Sequence, residues 1–145
     1  VWGEGLERGH RGMVATVDPI ATQAGVDALQ AGGNAIDAAV ATALMLGVVD
    51  GQNSGIGGGC FLTLRLADGR VFAIDGRETA PARATRDMYV RNGHAVPALS
   101  QHGALAVGVP GQLAALAYIS TNFGKLPMAR HLETAAAVAE AGFRA

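Results

Sequence analysis

The run Ala35–Val49 constrains the fold of this chain more than any other segment. Asp37 is its only charged residue, and its alanines lie on every side of a helix. A helix that is apolar nearly all round is normally packed on several sides inside a protein. The run is too short to span a bilayer and also contains Thr42. We therefore expect a buried helix that neighbouring elements enclose.

The residues before this run supply its start signal. The pair Gly32-Gly33 is a good stop for a preceding helix, which the apolar spacing predicts over residues 20–31. Asn34 is a favoured N-cap residue, and Asp37 three positions later can complete a capping-box-like arrangement. The sequence thus predicts two consecutive helices separated by a tight glycine turn.

A hairpin is predicted after the helices. Asp68-Gly69 separates two strand-like runs, residues 60–67 and 70–75, and Asp-Gly between such runs is a strong hairpin signal. If the turn contains only these two residues, Cys60 lies opposite Arg77. The glycines before Cys60 would then emerge beside Arg77.

The remaining segments complete an α+β pattern. We expect a loose arm at residues 1–11, a short strand at residues 13–17 and an irregular stretch at residues 83–100. Two more helices are expected, from Pro110 to Gly124 and from Pro127 to about Gly142. Antiparallel strands with helices before and after them favour a layered α+β architecture over a doubly wound parallel sheet.

Composition excludes several function classes. Half of the 145 residues are hydrophobic and the net charge is -1, which gives no electrostatic reason to expect nucleic acid or an anionic membrane as a partner. The single cysteine, Cys60, has no histidine near it in sequence and is expected to be a buried small hydrophobe. The four histidines show no ligand spacing, so no metal is predicted. We expect His131 to be a surface or boundary residue.

The glycine-rich segment at residues 53–60 has three interpretations. A phosphate-binding loop would need a strand before it and a helix after it, and here the order is reversed. We therefore predict no nucleotide and no other cofactor. The segment is either a tight chain reversal or a place where glycine lets the backbone come close to a ligand or to another strand. In the second case Gly57, Gly58 and Gly59 line the site.

Arg77 is the strongest candidate for a binding residue. It follows a strand end, in the segment Asp75-Gly76-Arg77-Glu78-Thr79-Ala80-Pro81, where functional groups are commonly displayed. Its planar fork suits a carboxylate ligand. The alternative is a structural ion pair with Asp75, Glu78 or Asp87, and the residues alone give the two interpretations equal weight. Glu78 is a further candidate for lining the site.

Six segments in order resemble the start of the large subunit of the γ-glutamyltranspeptidase family. They cover essentially the chain from Gly12 onward. In sequence they read Gly12-Met13-Val14-Ala15, Ala21-Thr22-Gln23-Ala24-Gly25, Gly32-Gly33-Asn34-Ala35-Ile36-Asp37-Ala38-Ala39-Val40-Ala41, Ser54-Gly55-Ile56-Gly57-Gly58-Gly59, Asp75-Gly76-Arg77-Glu78-Thr79-Ala80-Pro81 and Ala106-Val107-Gly108-Val109-Pro110-Gly111.

The resemblance implies an N-terminal-nucleophile hydrolase with an αββα sandwich, of which residues 12–145 form the N-terminal part of the large subunit. It implies a threonine nucleophile downstream of this chain, so that no catalytic residue lies here and this segment alone is inactive. It also implies that Arg77 binds the α-carboxylate of a γ-glutamyl group. The expected activity is hydrolysis or transfer of γ-glutamyl amides.

Partners and alternatives follow from the same resemblance. The implied partners are a γ-glutamyl small molecule such as glutathione and a small subunit cut from the same precursor. No signal peptide is visible, although the resemblance implies a periplasmic or secreted protein. Because the family includes cephalosporin acylases, a glutaryl-type amide hydrolase is one alternative. A non-catalytic binding module that lacks the nucleophile is another.

Overall fold

The fold consists of five helices and two small hairpins within residues 9–144, the part of the chain that the computed structural model describes. Most of the arm predicted at residues 1–11 lies outside that part. The helices are α1 (Pro19–Gln30), α2 (Ala35–Val49), α3 (Ala98–Gln101), α4 (Gln112–Phe123) and α5 (Met128–Ala141). The strands are β1 (Cys60–Arg65), β2 (Val71–Gly76), β3 (Val90–Arg91) and β4 (His94–Ala95). None of these helices combines the length and the apolar character needed to cross a lipid bilayer.

Helix α2 lies at the centre of the core, as its sequence predicts. Helices α1, α4 and α5 all pack against it. The predicted capping box is confirmed, because Asn34 Oδ1 accepts the N–H of Ile36 at 2.8 Å while Asp37 Oδ2 accepts the N–H of Asn34 at 2.7 Å. The residues of α2 that are buried are Ile36, Asp37, Ala38, Val40, Ala41, Thr42, Leu44 and Met45.

The hairpin β1–β2 forms, but its predicted register is wrong by one residue. Cys60 pairs with Gly76 and not with Arg77. A shift of one residue exchanges the two faces of a strand. Arg77 therefore follows the last paired position of β2, and its side chain lies beyond the ladder.

The turn explains the error. The predicted turn contained two residues, whereas Leu66 donates its N–H to the Arg70 carbonyl at 2.9 Å, which leaves residues 67–69 in the turn. Gly69 donates its N–H to the Leu66 carbonyl at 3.0 Å and has a φ of +89°. A turn followed by a left-handed glycine is a common three-residue hairpin connection.

The two faces of this hairpin differ in exposure. One face packs on the helices through Leu62, Leu64, Phe72 and Ile74. The opposite face carries Phe61 and Val71, which are 69% and 62% exposed. The described residues thus form a helical layer on one face of an antiparallel ribbon.

The predicted strand at residues 13–17 is not formed. No strand pairs with it within residues 9–144, and a β-strand exists only through hydrogen bonds to a neighbour. The end of this segment instead forms the N-terminal cap of α1. Thr16 Oγ1 accepts the N–H of Asp18 at 3.1 Å, and Asp18 Oδ1 accepts the N–H of Ile20 at 2.7 Å.

The stretch at residues 83–100 is more ordered than predicted. Strands β3 and β4 form a small hairpin, and the short helix α3 begins at Ala98. The turn of this hairpin is Asn92-Gly93, with φ values of +52° and +79°. Asn-Gly is a typical residue pair for such a two-residue turn and is the signal that could have revealed it.

The last two helices end as predicted, at Gly124 and Gly142. The expectation for His131 on α5 is wrong, because this residue is only 4% exposed. Its Nε2 lies 3.8 Å from Asp37 Oδ1 and has no hydrogen-bond partner among residues 9–144. The ring faces the N-terminal end of α2, where helix packing encloses it.

Candidate functional site

Arg77 lies directly after β2 with its guanidinium largely in solvent. Its side chain is 60% exposed. Its backbone N–H donates to Asp75 Oδ1 at 2.9 Å, which fixes the chain direction where the strand ends. Its Nε donates to Glu78 Oε2 at 3.2 Å. Arg77 therefore forms an ion pair with Glu78, as one of the two interpretations predicts. The pair engages Nε and leaves the two terminal nitrogens of the guanidinium available to a ligand.

Glu78 lies between Arg77 and the glycine segment. The strongest influence on the pKa of its carboxyl group is its own backbone N–H, which lowers it. Desolvation opposes that effect, and the Arg77 guanidinium lowers the pKa further. The net shift is downward, so Glu78 is a carboxylate at neutral pH. A negative charge is thus fixed beside the positive charge of Arg77.

The glycine segment is attached to the start of α4. The carbonyl of Gly58 accepts the N–H groups of both Gly111 and Gln112 at 3.1 Å. Next to these contacts, Thr79 and Val109 exchange two backbone hydrogen bonds of 3.2 and 2.8 Å. Three segments that are distant in sequence therefore meet around Arg77 and Glu78.

Close backbone contact requires glycine at two of these positions. A Cβ on Gly59 would lie 2.8 Å from the Cα of Arg77 and 2.6 Å from Glu78 Oε2. A Cβ on Gly111 would collide with the carbonyl oxygen of Gly76. Real Cβ atoms do not approach other atoms so closely. The backbone thus comes close to the end of β2 at Gly59, as one interpretation of the glycine segment predicts, while a ligand at this place stays a prediction.

A shallow pocket of about 390 Å³ opens at this place. Arg77 itself is not one of its lining residues but bonds to Glu78, which is. Gln112 lies at the first turn of α4, is buried, and was missed by the sequence reasoning; the Pro110-Gly111 start of the helix was the available signal. The lining residues are Gly51, Asn53, Ser54, Gly55, Gly57, Gly58, Gly59, Glu78 and Gln112.

The loop before this pocket is held by a buried carboxylate. Asp50, which is 8% exposed, accepts hydrogen bonds from Gln52 Nε2 at 2.7 Å and Asn53 Nδ2 at 3.0 Å. Its carbonyl accepts the N–H groups of Asn53 and Ser54. A loop rich in glycine would otherwise be mobile, and these bonds hold its first half in one conformation.

Cys60 does not have the properties of a nucleophile. It is half-buried, and burial together with the charge of Glu78 raises the pKa of its thiol. A thiol with a raised pKa is a poor nucleophile at neutral pH. Within residues 9–144, no three His, Cys, Asp or Glu side chains lie close enough together to hold a metal ion.

A larger cavity of about 510 Å³ lies elsewhere, along α2. It is lined by residues 11–15 and by apolar side chains of α1 and α2, such as Leu29 and Leu46. None of the predicted site residues borders it. Its walls offer few polar groups, whereas the glycine-lined pocket has Glu78 and the adjoining Arg77.

Comparison with known proteins gives concordant results. The sequence model of the family described as Gamma-glutamyltranspeptidase matches residues 21–145. The chain is 48% identical over 135 residues to Glutathione hydrolase 2 of Arabidopsis thaliana, a match that covers 93% of this chain and 23% of that protein. It is 44% identical over 142 residues to the Acylase ACY 1 proenzyme of Pseudomonas sp. strain V22, which covers 93% of this chain and 25% of that protein.

The solved structures agree with the sequences. The chain superimposes on gamma-glutamyltranspeptidase of Helicobacter pylori with a TM-score of 0.89 and 38% identity, covering 96% of this chain and 40% of that one. The N-terminal-nucleophile hydrolase fold that the motifs predict is thereby confirmed. This chain spans about a quarter of the length of the curated relatives it matches.

Proposed function

This chain belongs to the gamma-glutamyltranspeptidase family, and on that premise we propose that the complete protein cleaves γ-glutamyl amide bonds and passes the γ-glutamyl group to water or to an amine. The chain spans only about a quarter of the curated relatives, so the activity is assigned to the protein and not to residues 1–145 alone. Glutathione and related γ-glutamyl compounds are the proposed substrates.

The observation that carries this proposal is the open guanidinium of Arg77 beside a glycine-lined pocket. A γ-glutamyl group carries an α-carboxylate at a fixed distance from the amide that is cleaved. A guanidinium can hold that carboxylate through two parallel N–H···O bonds. Arg77 thus binds the invariant end of the substrate and leaves the variable amide end free to differ.

The reaction itself needs a nucleophile outside this chain. In the proposed sequence a threonine hydroxyl attacks the γ-carbonyl carbon, and the nearby α-amine of the same threonine takes the hydroxyl proton. The C–N bond then breaks, and the leaving amine carries that proton away. Water or an acceptor amine attacks the resulting ester and releases the γ-glutamyl group, which regenerates the threonine. No cofactor takes part.

The proposed partner is a small subunit that carries this threonine. The acylase relative is named a proenzyme, which supports a precursor that is cut into two subunits. The outward face of the β1–β2 hairpin, with Phe61 and Val71 exposed, is consistent with further chain packing near Arg77.

The test is turnover of a chromogenic γ-glutamyl anilide by the complete protein, with and without a dipeptide acceptor. Acceptor-stimulated release indicates a transpeptidase, and release without stimulation indicates a hydrolase. Arg77→Ala is expected to lower kcat/KM by about 10²–10³, because it removes a charge-assisted anchor worth on the order of 3–4 kcal/mol. Unchanged turnover in this variant would refute the role of Arg77.

A second candidate is an acylase that acts on glutaryl-type amides. The similarity to Acylase ACY 1 proenzyme, at 44% identity, favours it. A glutaryl group lacks only the α-amino group of a γ-glutamyl group. Its terminal carboxylate is the same number of carbons from the amide, so Arg77 would bind either one. Turnover of a glutaryl anilide without turnover of the γ-glutamyl anilide would establish this alternative, and Arg77→Ala is expected to lower that turnover as well. A protein that is not cut into subunits and turns over neither anilide would support the binding-module alternative.

A further inference from the structure

We infer that Glu78 and Phe61 are positioning residues that together hold the Arg77 guanidinium in one orientation, with its two terminal amino groups presented to a substrate carboxylate. Glu78 accepts the Nε–H of the guanidinium, and the guanidinium carbon lies over the ring of Phe61. This inference rests on the proposed function, because it specifies how Arg77 receives the ligand.

Glu78 is the residue that fixes the edge. Its Oε2 accepts the Nε–H of Arg77 at 3.2 Å. The carboxylate itself is confined, because a Cβ added to Gly58 or Gly59 would lie 3.5 or 2.6 Å from its two oxygens. A Cβ on Gly108 would lie 3.1 Å from the Cβ of Glu78. Because these three glycines have no side chains, there is room beside them for the side chain of Glu78.

Phe61 is the aromatic residue over which the guanidinium lies. It lies on the outward side of β1, paired with Asp75, and is 69% exposed. The guanidinium carbon of Arg77 lies 5.6 Å from the centroid of its ring, within the range of a cation–π contact. An exposed aromatic side chain at this position contributes little to the core. Its contact with Arg77 gives it a role.

The consequence is a directed binding group. Since Nε is engaged by Glu78 and the guanidinium carbon lies over the Phe61 ring, the hydrogen-bonding edge that is left for a ligand is the one formed by Nη1 and Nη2. Within residues 9–144 neither terminal nitrogen of Arg77 makes a hydrogen bond or an ion pair. That edge matches a carboxylate with two parallel bonds. A guanidinium that rotated freely would reach the same geometry only part of the time.

The experiment compares two donors in the complete protein. One is a γ-glutamyl anilide, and the other is the matched anilide in which a neutral carboxamide replaces the α-carboxylate. Glu78→Gln and Phe61→Leu are each expected to raise KM for the carboxylate donor by about two- to fivefold, the range of exposed ion pairs and cation–π contacts, while kcat changes little. With the carboxamide donor both variants should match the wild type.

Asp68→Asn is the matched control. Asp68 forms the other Arg–carboxylate pair of this hairpin, with Arg70 at 2.7 Å, at the opposite end of the strands. It should change neither donor. Phe61→Leu keeps an apolar side chain on the outward face of β1, so it tests the inference even if Glu78→Gln disturbs folding.

The outcomes separate this inference from the function it rests on. A wild type that turns over the γ-glutamyl anilide, with variants that leave KM unchanged or that lose both donors equally, would overturn the positioning role alone. A wild type that turns over neither donor would overturn the proposed function and this inference with it. A loss confined to the donor with an α-carboxylate would support both.

Discussion

The carboxylates of Asp37 and Glu78 have different surroundings: the first is fully buried and accepts backbone N–H groups, whereas the second accepts the Nε–H of a solvent-exposed arginine. Asp37 accepts N–H groups from Asn34, Lys125 and Leu126 at 2.7 to 3.0 Å. Glu78 holds one cation, Arg77. The first arrangement joins two parts of the fold, and the second leaves a charged group available to a ligand.

The charge on Asp37 is stabilised by the backbone and not by a counterion. Burial raises the pKa of this carboxyl group, and the N–H groups of Asn34, Leu126 and Lys125 outweigh that effect, so that its pKa is lowered. Burial is also the main influence on His131 and lowers its pKa, which leaves the ring neutral at neutral pH. Backbone N–H groups around a buried charge such as Asp37 indicate a structural role. An exposed guanidinium such as that of Arg77 is available to bind a ligand.

The largest expected effect comes from removing the buried carboxylate. Asp37→Ala leaves several backbone N–H groups without an acceptor and opens the link between α2 and the α4–α5 turn. We expect the free energy of unfolding to fall by about 3–5 kcal/mol. Chemical denaturation of the complete protein measures this change. Asp27→Ala, which removes an exposed carboxylate of α1, should stay within about 0.5 kcal/mol of wild type.

The cap of α2 gives the next largest effect. Asn34 Oδ1 accepts the first N–H groups of the helix, and Nδ2 donates to the Phe123 carbonyl at 2.7 Å. Asn34→Ala removes the three bonds of this side chain and is expected to cost about 1–2 kcal/mol in thermal or chemical unfolding. The control is Asn122→Ala, since Asn122 makes one exposed bond to Tyr118 near the end of α4. Equal losses in the two variants would contradict the importance of the cap.

Elements defined by local rules were predictable from the sequence. The capping box of α2 follows from Asn34 and Asp37, and the ends of α4 and α5 follow from Gly124 and Gly142. The hairpin was predicted from Asp68-Gly69. Its register depended on whether the turn held two or three residues, and the left-handed backbone of Gly69 goes with three.

Features that depend on tertiary contact were not predictable. The burial of His131 depends on where α5 lies against α2, and spacing along a helix does not determine that. Gln112 joins the pocket only because Gly58 accepts two N–H groups from the start of α4. Arg77 was predicted as a binding residue from its place in the chain, whereas its contacts with Glu78 and Phe61 required the three-dimensional structure.

The pH dependence of stability sharpens the comparison further. His131 has a folded pKa below its ordinary value of 6.5, and Asp37 one below its ordinary value of 3.8. In both cases the unfolded chain binds the proton first as the pH falls, so stability is lost with acid, first below about pH 6.5 and again below about pH 3.8. Each group contributes a slope of at most about 1.4 kcal/mol per pH unit.

Denaturation of the complete protein between pH 4 and pH 7 measures the first of these windows. His131→Gln should flatten the dependence there, since glutamine does not titrate. The charged residues nearest to this ring include Asp37 on α2, Asp27 on α1 and the neighbouring Arg130. A slope that persists unchanged in His131→Gln would assign the proton uptake to another group.

The smallest expected effect is the change in stability when Arg77 is removed. Arg77→Ala, which we expect to lower turnover strongly, should change the free energy of unfolding by no more than about 0.5 kcal/mol, because exposed ion pairs contribute little to stability. Its side chain is 60% exposed and makes one ion pair. Parallel measurement of unfolding and of kcat/KM in Arg77→Ala and Asp37→Ala tests the division of roles. A large loss of stability in Arg77→Ala would mean that its pair with Glu78 is structural, since removal of an open binding group leaves no buried charge or donor behind.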